Sequence, residues 1–255
     1  MFALDLSDRV AIVTAGSRGI GAATCVALAQ AGCNVVVNYK ADAASAEAVA
    51  AKVRAQGRHA LVVQADVSDS AAVDAMAKRT LDEYGRIDIV VSNAGAGTRV
   101  PMHEITDAEY QRVFDINVKG FVALSRAALP GMRARKSGRI IAVSSIVGRS
   151  GKAFMSPSPT YAGAKAALLG YVRGLAREVG SLGITVNAVC PGWVDWGSKH
   201  AAAPDSVRND ALAQIPLGRT GSADDIANAI TFLASDRASY LTGVSMDVNG
   251  GLYMG

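Results

Sequence analysis

The chain is poor in the residues that bind metals and form disulfide bonds, with three cysteines and three histidines in 255 residues. Cys25, Cys33 and Cys190 lack CxxC spacing, so we expect buried, reduced thiols in one predicted helix and two predicted strands. The histidines are scattered, and His103 lacks the second histidine of a zinc-protease helix. The sequence therefore predicts no catalytic metal site.

Long apolar runs and strong charge are also missing. No apolar run reaches the ~18 residues that a membrane-spanning helix needs. The opening residues, Met1 to Asp8, lack the basic and apolar regions of a signal peptide. The net charge is only +4, and the basic residues are dispersed among acids rather than gathered in a stripe with stacking aromatics. We expect a cytoplasmic protein that binds neither membranes nor nucleic acid.

Apolar, β-branched segments alternate with long alanine-rich helical segments along the chain. No linker, repeat or low-complexity tract interrupts the alternation, which favours a single domain over residues 1–255. This pattern is typical of an α/β fold with a mostly parallel, doubly wound sheet covered by helices on both faces. We predict about seven strands, at residues 9–14, 33–38, 60–64, 87–92, 139–144, 184–189 and 243–248.

A glycine-rich turn, residues 15–21, follows the first predicted strand and leads into a helix that starts near Gly19. Glycines let the backbone approach a ligand closely, and a helix start directs unpaired N–H groups at an anion. An ordinary turn is the alternative, but the strand before it and the helix after it are the context that a nucleotide-binding motif requires. The predicted cofactor-binding residues of this turn are Gly16, Ser17, Arg18, Gly19, Ile20 and Gly21.

Tyr161 and Lys165 lie four residues apart in a predicted helix and therefore share one face. A free tyrosine has a pKa of about 10, and a neighbouring ammonium group lowers it. The pair predicts a phenol that exchanges protons near neutral pH. A packed ring beside a solvated lysine would have the same spacing.

Several motifs occur along the chain in a fixed order: Thr14 to Gly21, Asn93-Ala94-Gly95, Asn117, Ser145, Tyr161 to Lys165, and Pro191-Gly192. In this order they resemble the short-chain dehydrogenase/reductase family, in particular its 3-oxoacyl-(acyl-carrier-protein) reductase branch. The resemblance covers essentially the whole chain. It implies a Rossmann-type homotetramer that interconverts a ketone and a secondary alcohol with a nicotinamide cofactor. Residues 1–130 would mainly bind the cofactor, and residues 131–255 would mainly carry catalysis and the substrate.

The resemblance also implies catalytic roles. Tyr161 would be the general acid in reduction and the base in oxidation, while Lys165 would hold the nicotinamide ribose and lower the tyrosine pKa. Ser145, rather than its neighbour Ser144, would hydrogen-bond the substrate oxygen. Asn117 would organise a helix and a water leading to the lysine. A strand-end hydroxyl and a helix-breaking amide are the simpler explanations of Ser145 and Asn117.

The second predicted strand ends in Asn38, Tyr39 and Lys40. An acidic residue at this place typically binds the ribose hydroxyls of NAD, whereas a 2′-phosphate requires cationic or neutral polar contacts. Arg18 in the glycine loop offers charge-assisted hydrogen bonds to such a phosphate. These residues favour NADP(H), with NAD(H) as the alternative. The resemblance adds cofactor contacts at Asp66, Val67, Asn93, Ala94, Gly95, Tyr161, Lys165, Pro191 and Gly192.

The chain departs from the family pattern in places. Ala15 replaces the first glycine of the loop motif, and the segment Arg149 to Thr160, where the family builds its substrate pocket, is a few residues longer. Trp196 stands where many relatives have a threonine that bonds the nicotinamide amide. We expect backbone groups around Val194, with Ser198, to hold the nicotinamide. Trp196 would either cover the substrate site or pack outward.

The substrate stays open between chemical classes. A 3-oxoacyl thioester of a carrier protein or of CoA competes with a sugar, a steroid or a cyclic alcohol. A non-catalytic NADP(H) sensor is a minor alternative, because such a protein need not keep the catalytic residues together. Basic residues that could contact an acidic carrier protein, or be ordinary surface charge, are Arg133, Arg135, Lys136, Arg139 and Arg177.

Overall fold

The structure is a computed structural model that describes residues 4–152, 158–195 and 203–255. Within these residues strands and helices alternate as the sequence predicts. The strands are β1 (Val10–Val13), β2 (Asn34–Tyr39), β3 (Ala60–Gln64), β4 (Ile89–Ser92), β5 (Gly138–Val143), β6 (Ile184–Pro191), β7 (Val194–Asp195), β8 (Gly221–Ser222) and β9 (Ser245–Val248). The helices are α1 (Gly19–Gln30), α2 (Ala43–Ala55), α3 (Ser70–Tyr84), α4 (Asp107–Phe114), α5 (Gly120–Arg135), α6 (Val147–Ser150), α7 (Pro159–Val179), α8 (Asp205–Gln214) and α9 (Ala223–Ala234).

The predicted parallel sheet is confirmed. Seven strands pair in the order β3-β2-β1-β4-β5-β6-β9, and every pair is parallel. Because β1 lies between β2 and β4, the loops that follow β1 and β4 diverge to opposite faces and leave a crevice at the carboxyl edge of the sheet. Such a crevice is where this architecture binds ligands. Strands β7 and β8 form a small separate pair near it.

Both faces of the sheet are covered, as the uniformly apolar strands require. Along β1, Val10 and Ile12 join the core formed with α3, α5 and α7, whereas Ala11 and Val13 join the core formed with α1, α2 and α9. The alternation follows from the two-residue period of a strand. None of the helices described above combines the length and hydrophobicity needed to span a bilayer.

The three cysteines are buried and form no disulfide, as predicted. Cys25 lies in α1 and Cys190 in β6, while Cys33 immediately precedes β2 rather than lying within it. Burial raises the pKa of Cys190 to about 11, with the negative charge of Asp247 adding to the effect. The thiol is therefore neutral at physiological pH.

Arg139 corrects the prediction that it belongs to a basic surface. It lies on β5 and is only 6% exposed. Its guanidinium donates to the Gly138 carbonyl at 2.9 Å and to Asp236 at 2.8 Å. Arg9 donates to the same carboxylate at 2.6 Å. Arg139 is therefore buried at the start of β5, with its guanidinium bound to Asp236, and is unavailable to a protein partner.

The loop after β1 contains a strained backbone position. Ala15 has φ +49°, in the left-handed region where an L-residue with a side chain is disfavoured. Its carbonyl also limits Gly21, because a Cβ at Gly21 would lie 2.2 Å from Ala15 O and 2.6 Å from Asn93 Nδ2. The alanine that replaces a glycine of the motif therefore keeps the loop's path at an energetic cost.

We predict that Ala15→Gly raises the thermal unfolding midpoint by about 1–4 °C. Relief of the left-handed conformation stabilises the folded protein by about 1–2 kcal/mol. The greater freedom of glycine in the unfolded chain costs about 0.5–1 kcal/mol of that gain, so the net change in the midpoint is small and positive. Gly21→Ala is the opposing control, since its methyl group meets backbone and must lower the midpoint. Thermal unfolding followed by circular dichroism measures both variants. A lower midpoint for Ala15→Gly would contradict the assignment of strain.

Candidate active site

Tyr161 and Lys165 lie at the start of α7, beside the crevice. The Ser158 hydroxyl accepts a hydrogen bond from the Tyr161 N–H at 3.3 Å, and Pro159 occupies the first helical turn, so a well-defined cap starts the helix here. Lys165 is 3% exposed, and its Nζ donates to the Val143 carbonyl at 2.8 Å. The same Nζ lies 5.7 Å from the centre of the Tyr161 ring. The helical spacing thus brings a phenol and a buried ammonium together.

Ser145 follows β5 and faces the tyrosine. Its Oγ accepts a hydrogen bond from the Val147 N–H at 3.1 Å, and its side chain lies close enough to Tyr161 to lower the pKa of the phenol. Ser144, the rival candidate, is 3% exposed and donates to the Lys165 carbonyl at 2.9 Å. Ser144 therefore fastens β5 to the backbone of α7, while Ser145 lies beside the phenol.

The two titratable groups of the site have pKa values shifted by burial. Burial raises the pKa of Tyr161 to about 12, and the Ser145 side chain opposes this. The residue as a whole is half-buried, so water moderates the shift. Burial also lowers the pKa of Lys165 to about 8, which leaves the amine mostly protonated at neutral pH.

The expected lowering of the tyrosine pKa by Lys165 is therefore absent in this structure. The Lys165 ammonium is directed at the Val143 carbonyl rather than at the phenol oxygen. Desolvation of the phenolate is the largest influence on the pKa of Tyr161, and it is opposed by the Ser145 side chain rather than by the lysine charge. The phenol holds its proton at neutral pH.

Asn117 lies in a π-helical turn, Asp115–Lys119, that joins α4 to α5. Widened turns of this kind often occur at functional sites. Its Nδ2 donates to the Val113 carbonyl at 2.8 Å and to the Ala96 carbonyl at 2.7 Å. The buried Oδ1 has no hydrogen-bond partner within the described residues. The amide therefore ties the loop after β4 to the helix and keeps one oxygen directed into the site.

Gly95 lies over Asn117 and Lys165. A Cβ at Gly95 would stand 3.0 Å from Asn117 Oδ1 and 3.1 Å from Lys165 Nζ. Only a glycine leaves this surface open, and Gly95 itself is exposed to the crevice. The cradle suits a flat or ribose-like group resting on the backbone.

The glycine loop is held from two sides. Gly16 N–H donates to the Asn38 carbonyl at 2.7 Å. On the other side Asn93 Nδ2 donates to the Thr14 carbonyl at 3.0 Å, and Thr14 Oγ1 accepts from the N–H groups of Asn93 and Ala94 at 2.9 and 3.0 Å. Sequence reasoning missed Thr14, which could have been found as a polar residue ending an apolar strand. Ser17, Arg18 and Ile20 complete the loop at the start of α1.

Asn38 serves the loop and is not available to contact a ligand with its side chain. It is 1% exposed. Its Oδ1 accepts from the Ala15 N–H at 3.1 Å, and its Nδ2 donates to the Val63 and Ala65 carbonyls at 3.3 and 3.0 Å. The prediction of a side-chain contact to a cofactor phosphate is therefore corrected. A residue in the middle of a sheet turns a polar side chain inward only where such bonds satisfy it.

Two basic side chains near the end of β2, Lys40 and Arg18, differ in whether they already have an acidic partner. Lys40 Nζ forms an ion pair with Asp66 Oδ2 at 2.6 Å. Arg18 is exposed at the start of α1. Hydrogen bonds from Ser45 hold the pKa of Asp42 below its usual range, and the charge of Arg18 adds a smaller effect. Arg18 thus lies on the same side as the carboxyl end of β2.

Other predicted cofactor residues line the crevice further along. Asp66 Oδ1 accepts from Ser68 N–H and Oγ at 3.0 and 2.8 Å. The adjacent Val67 packs against Gly120, whose Cβ would lie 3.2 Å from it. Tyr39, the last residue of β2, is partly buried.

The motif after β6 closes the other side of the crevice. The Pro191 carbonyl accepts from Ile146 N–H at 3.0 Å, and Gly192 N–H donates to the Val248 carbonyl at 3.2 Å. Val194 is buried and pairs with Gly221. Trp196 and Ser198 lie outside the described residues, as does the middle of the segment Arg149 to Thr160, so their roles stay predictions.

Comparisons with known proteins agree with this geometry. A family model described as enoyl-(acyl carrier protein) reductase matches residues 14–253. The 3-oxoacyl-(acyl-carrier-protein) reductase of Staphylococcus aureus is 41% identical over 244 residues, covering 96% of this chain and 98% of that protein. The protein of the same name from Escherichia coli is 38% identical over 251 residues, covering 98% of this chain and all of its own length.

Solved structures are equally similar in fold. A putative short-chain alcohol dehydrogenase from Sinorhizobium meliloti superposes with a TM-score of 0.93 at 31% identity, covering 98% of both chains. A short-chain dehydrogenase/reductase from Serratia marcescens gives a TM-score of 0.90 at 34% identity, covering 98% of this chain and 99% of that chain. The sheet, the crevice and the sequence relationships together show that this chain belongs to the short-chain dehydrogenase/reductase family and is an oxidoreductase that acts on CH–OH groups with NAD(P).

Proposed function

We propose that the chain reduces the keto group of a 3-oxoacyl thioester to a secondary alcohol with NADPH. The observation that carries this proposal is the arrangement of Tyr161 beside Ser145, with the Lys165 ammonium 5.7 Å from the centre of the phenol ring. The names of the relatives that match nearly the whole chain support the thioester as substrate.

The catalytic residues divide the work of a carbonyl reduction. The hydride for the carbonyl carbon would come from NADPH when it is bound. The Ser145 hydroxyl donates a hydrogen bond to the carbonyl oxygen and orients it. The Tyr161 hydroxyl gives its proton to the same oxygen, so the ketone becomes an alcohol and the phenol becomes a phenolate. The Lys165 ammonium, 5.7 Å from the centre of the phenol ring, can stabilise that negative charge, and the phenol carries the proton at neutral pH that a general acid needs.

The crevice has features that fit a dinucleotide. The exposed surface at Gly95 has no room for a side chain above Asn117 and Lys165, so a cofactor ribose can rest there. The start of α1 offers backbone N–H groups to the pyrophosphate. Residues that would hold the cofactor are Gly16, Ser17, Arg18, Gly19, Ile20, Gly21, Tyr39, Lys40, Asp66, Val67, Asn93, Ala94, Gly95, Tyr161, Lys165, Pro191, Gly192 and Val194.

The preference for NADPH rests mainly on Arg18. Asn38 is engaged inside the protein and the exposed Lys40 ammonium is paired with Asp66, whereas Arg18 is exposed, so Arg18 is the cation best placed to meet a 2′-phosphate. The commitment of the other two residues favours NAD(H) as the second candidate cofactor. A sugar, steroid or cyclic alcohol dehydrogenase using NAD(H) is accordingly the second candidate function.

A carrier-protein contact is supported at the far end of α7. Arg173 and Arg177 line a cavity of about 330 Å³ with Thr242 and Gly243. Neither arginine has a hydrogen bond or ion pair among the residues that the structure describes. Arg133, by contrast, lies 3.5 Å from Glu178. An acidic carrier domain would find its charge partners mainly at Arg173 and Arg177.

We also propose a homotetramer. Large apolar side chains remain exposed on the protomer, including Tyr171 at 49% and Tyr110 at 47%. The tetramer is proposed mainly from the family resemblance, and these side chains are candidates for positions in a subunit contact. Light scattering after gel filtration would give four times the 26.2 kDa chain mass, and a monomeric mass would reject the proposal.

A substrate panel separates the candidate functions. Acyl thioesters of a carrier protein and of CoA, sugars and cyclic ketones would be offered with NADPH and with NADH, and cofactor consumption would be followed. The proposal expects the highest kcat/KM for a 3-oxoacyl thioester with NADPH. Preference for a cyclic or sugar substrate with NADH would favour the second function. Cofactor binding without turnover of any substrate would indicate a sensor.

We predict that Tyr161→Phe loses nearly all turnover while it retains its fold and NADPH affinity. The substitution removes only the hydroxyl that donates the proton. Turnover by cofactor consumption and Kd by fluorescence titration measure the two effects. Substantial residual reduction would reject Tyr161 as the proton donor.

We predict that Arg18→Ala weakens NADPH binding at least about tenfold, because charge-assisted hydrogen bonds contribute about 1.5–3 kcal/mol. The affinity for NADH should change much less, since NADH lacks the 2′-phosphate. Lys40→Ala is the matched control and should have the smaller effect, because Asp66 already binds its ammonium. Equal losses for both cofactors in Arg18→Ala would argue against the phosphate contact.

A further inference from the structure

Arg112 on α4 contacts the loop that follows β4. Its Nη2 donates to the Gly97 carbonyl at 2.9 Å. The same guanidinium forms a bidentate pair with Glu109, with Nε and Nη2 at 2.7 and 2.8 Å from the two carboxylate oxygens. A forked pair of this kind fixes the direction of the guanidinium plane, which a single bond would leave free to rotate.

Glu109 strengthens this contact from the other side. Its hydrogen bond from Arg112 lowers the pKa of Glu109 to about 2, and a hydrogen bond with the Thr98 side chain acts in the same direction. Thr98 is buried, next to Gly97 in the loop. Arg112 therefore holds the Gly97 carbonyl against α4, while Glu109 orients the Arg112 guanidinium and lies beside Thr98.

The loop held in this way lies against Tyr161. A Cβ at Gly97 would stand 3.7 Å from Cγ and Cδ2 of the Tyr161 ring, the distance of ordinary van der Waals contact. The Gly97 backbone therefore faces the ring across a gap that one methyl-sized group would fill, so a shift of this loop changes the space available to the ring. On the opposite side of the same residues, Asn117 Nδ2 donates to the Ala96 carbonyl at 2.7 Å.

Consecutive carbonyls of an exposed loop are therefore anchored to one continuous helical segment, at Ala96 by Asn117 and at Gly97 by Arg112. One anchor fixes the position of a loop but leaves it free to turn about that bond. The second anchor prevents rotation of the loop about the first bond. The loop then limits how far the Tyr161 ring can move away from a substrate oxygen.

We propose that Arg112 is a positioning residue that holds Tyr161 in its reacting orientation through the carbonyl of Gly97. The inference rests on the proposed function, in which Tyr161 donates the proton. Arg112 itself touches neither proton nor substrate. Its removal should slow the chemical step without weakening the binding of either ligand, because a small displacement of a reacting group costs rate rather than affinity.

The test compares Arg112→Ala with the wild type in steady-state and single-turnover assays with NADPH and the best carbonyl substrate. We expect kcat and the single-turnover rate to fall about tenfold, while KM and the NADPH Kd stay within about twofold. Arg112→Lys should recover part of the rate, since an ammonium can reach one oxygen partner but cannot form the fork.

The matched control is Arg126→Ala. Arg126 lies on α5 of the same helical segment and forms an exposed pair with Asp74 at 3.0 Å, away from the loop. An exposed pair contributes only about 0–1 kcal/mol to folding, so both alanine variants should remain folded. Arg126→Ala should keep the wild-type rate. If Arg112→Ala does not fold, Glu109→Gln weakens the same fork and should show a smaller loss of rate with unchanged KM.

Several outcomes would overturn the proposal. These are a wild-type rate in Arg112→Ala, an equal loss of rate in Arg126→Ala, or a raised KM with kcat unchanged, which would make Arg112 a substrate contact. A wild-type rate in Glu109→Gln would do the same where Arg112→Ala is not folded. Tyr161→Phe run in parallel separates the two levels. If it is active, the proposed function fails; if it is inactive while the rate of Arg112→Ala is unchanged, only the positioning role fails.

Discussion

The active site depends on the buried ammonium of Lys165. An amine that is 3% exposed needs a partner, and the Val143 carbonyl at the end of β5 supplies it at 2.8 Å. The ammonium thereby lies below the crevice, near the Tyr161 ring and the backbone of Gly95. Gly95 must lack a side chain because of it, and the Asn117 oxygen faces the same space. The end of β5, the helix α7 and the π-helical turn all come close to the Lys165 ammonium.

The opposite pKa shifts of the pair have a functional meaning. Burial raises the pKa of Tyr161 above its ordinary value and lowers that of Lys165 to about 8, and both groups stay protonated at neutral pH. The site therefore holds a protonated phenol beside a cation, which is the state that a carbonyl reduction requires from its acid. Deprotonation of the phenol during the reaction creates a phenolate where the ammonium can stabilise it, so attraction between the pair grows as the proton leaves.

Much of this arrangement could be predicted from the sequence because it is local. Apolar periodicity located the strands, and a four-residue spacing placed Tyr161 and Lys165 on one helical face. The direction of side chains at tertiary junctions could not be predicted. Asn38 turns inward to hold the glycine loop, and the Arg139 guanidinium is bound by Asp236, which is far away in the sequence. Partners far apart in the chain decide these directions, as they decide the raised rather than lowered pKa of Tyr161.

The ionisation of Tyr161 tests the central claim most directly. Ultraviolet difference titration of the wild type against Tyr161→Phe isolates the one phenol among the tyrosines. The account predicts that this phenol ionises above the ordinary tyrosine pKa of about 10, so that it carries its proton at neutral pH. An ionisation at or below neutral pH in the free protein would contradict the account. It would mean that the charge of Lys165, rather than burial, sets the pKa of Tyr161.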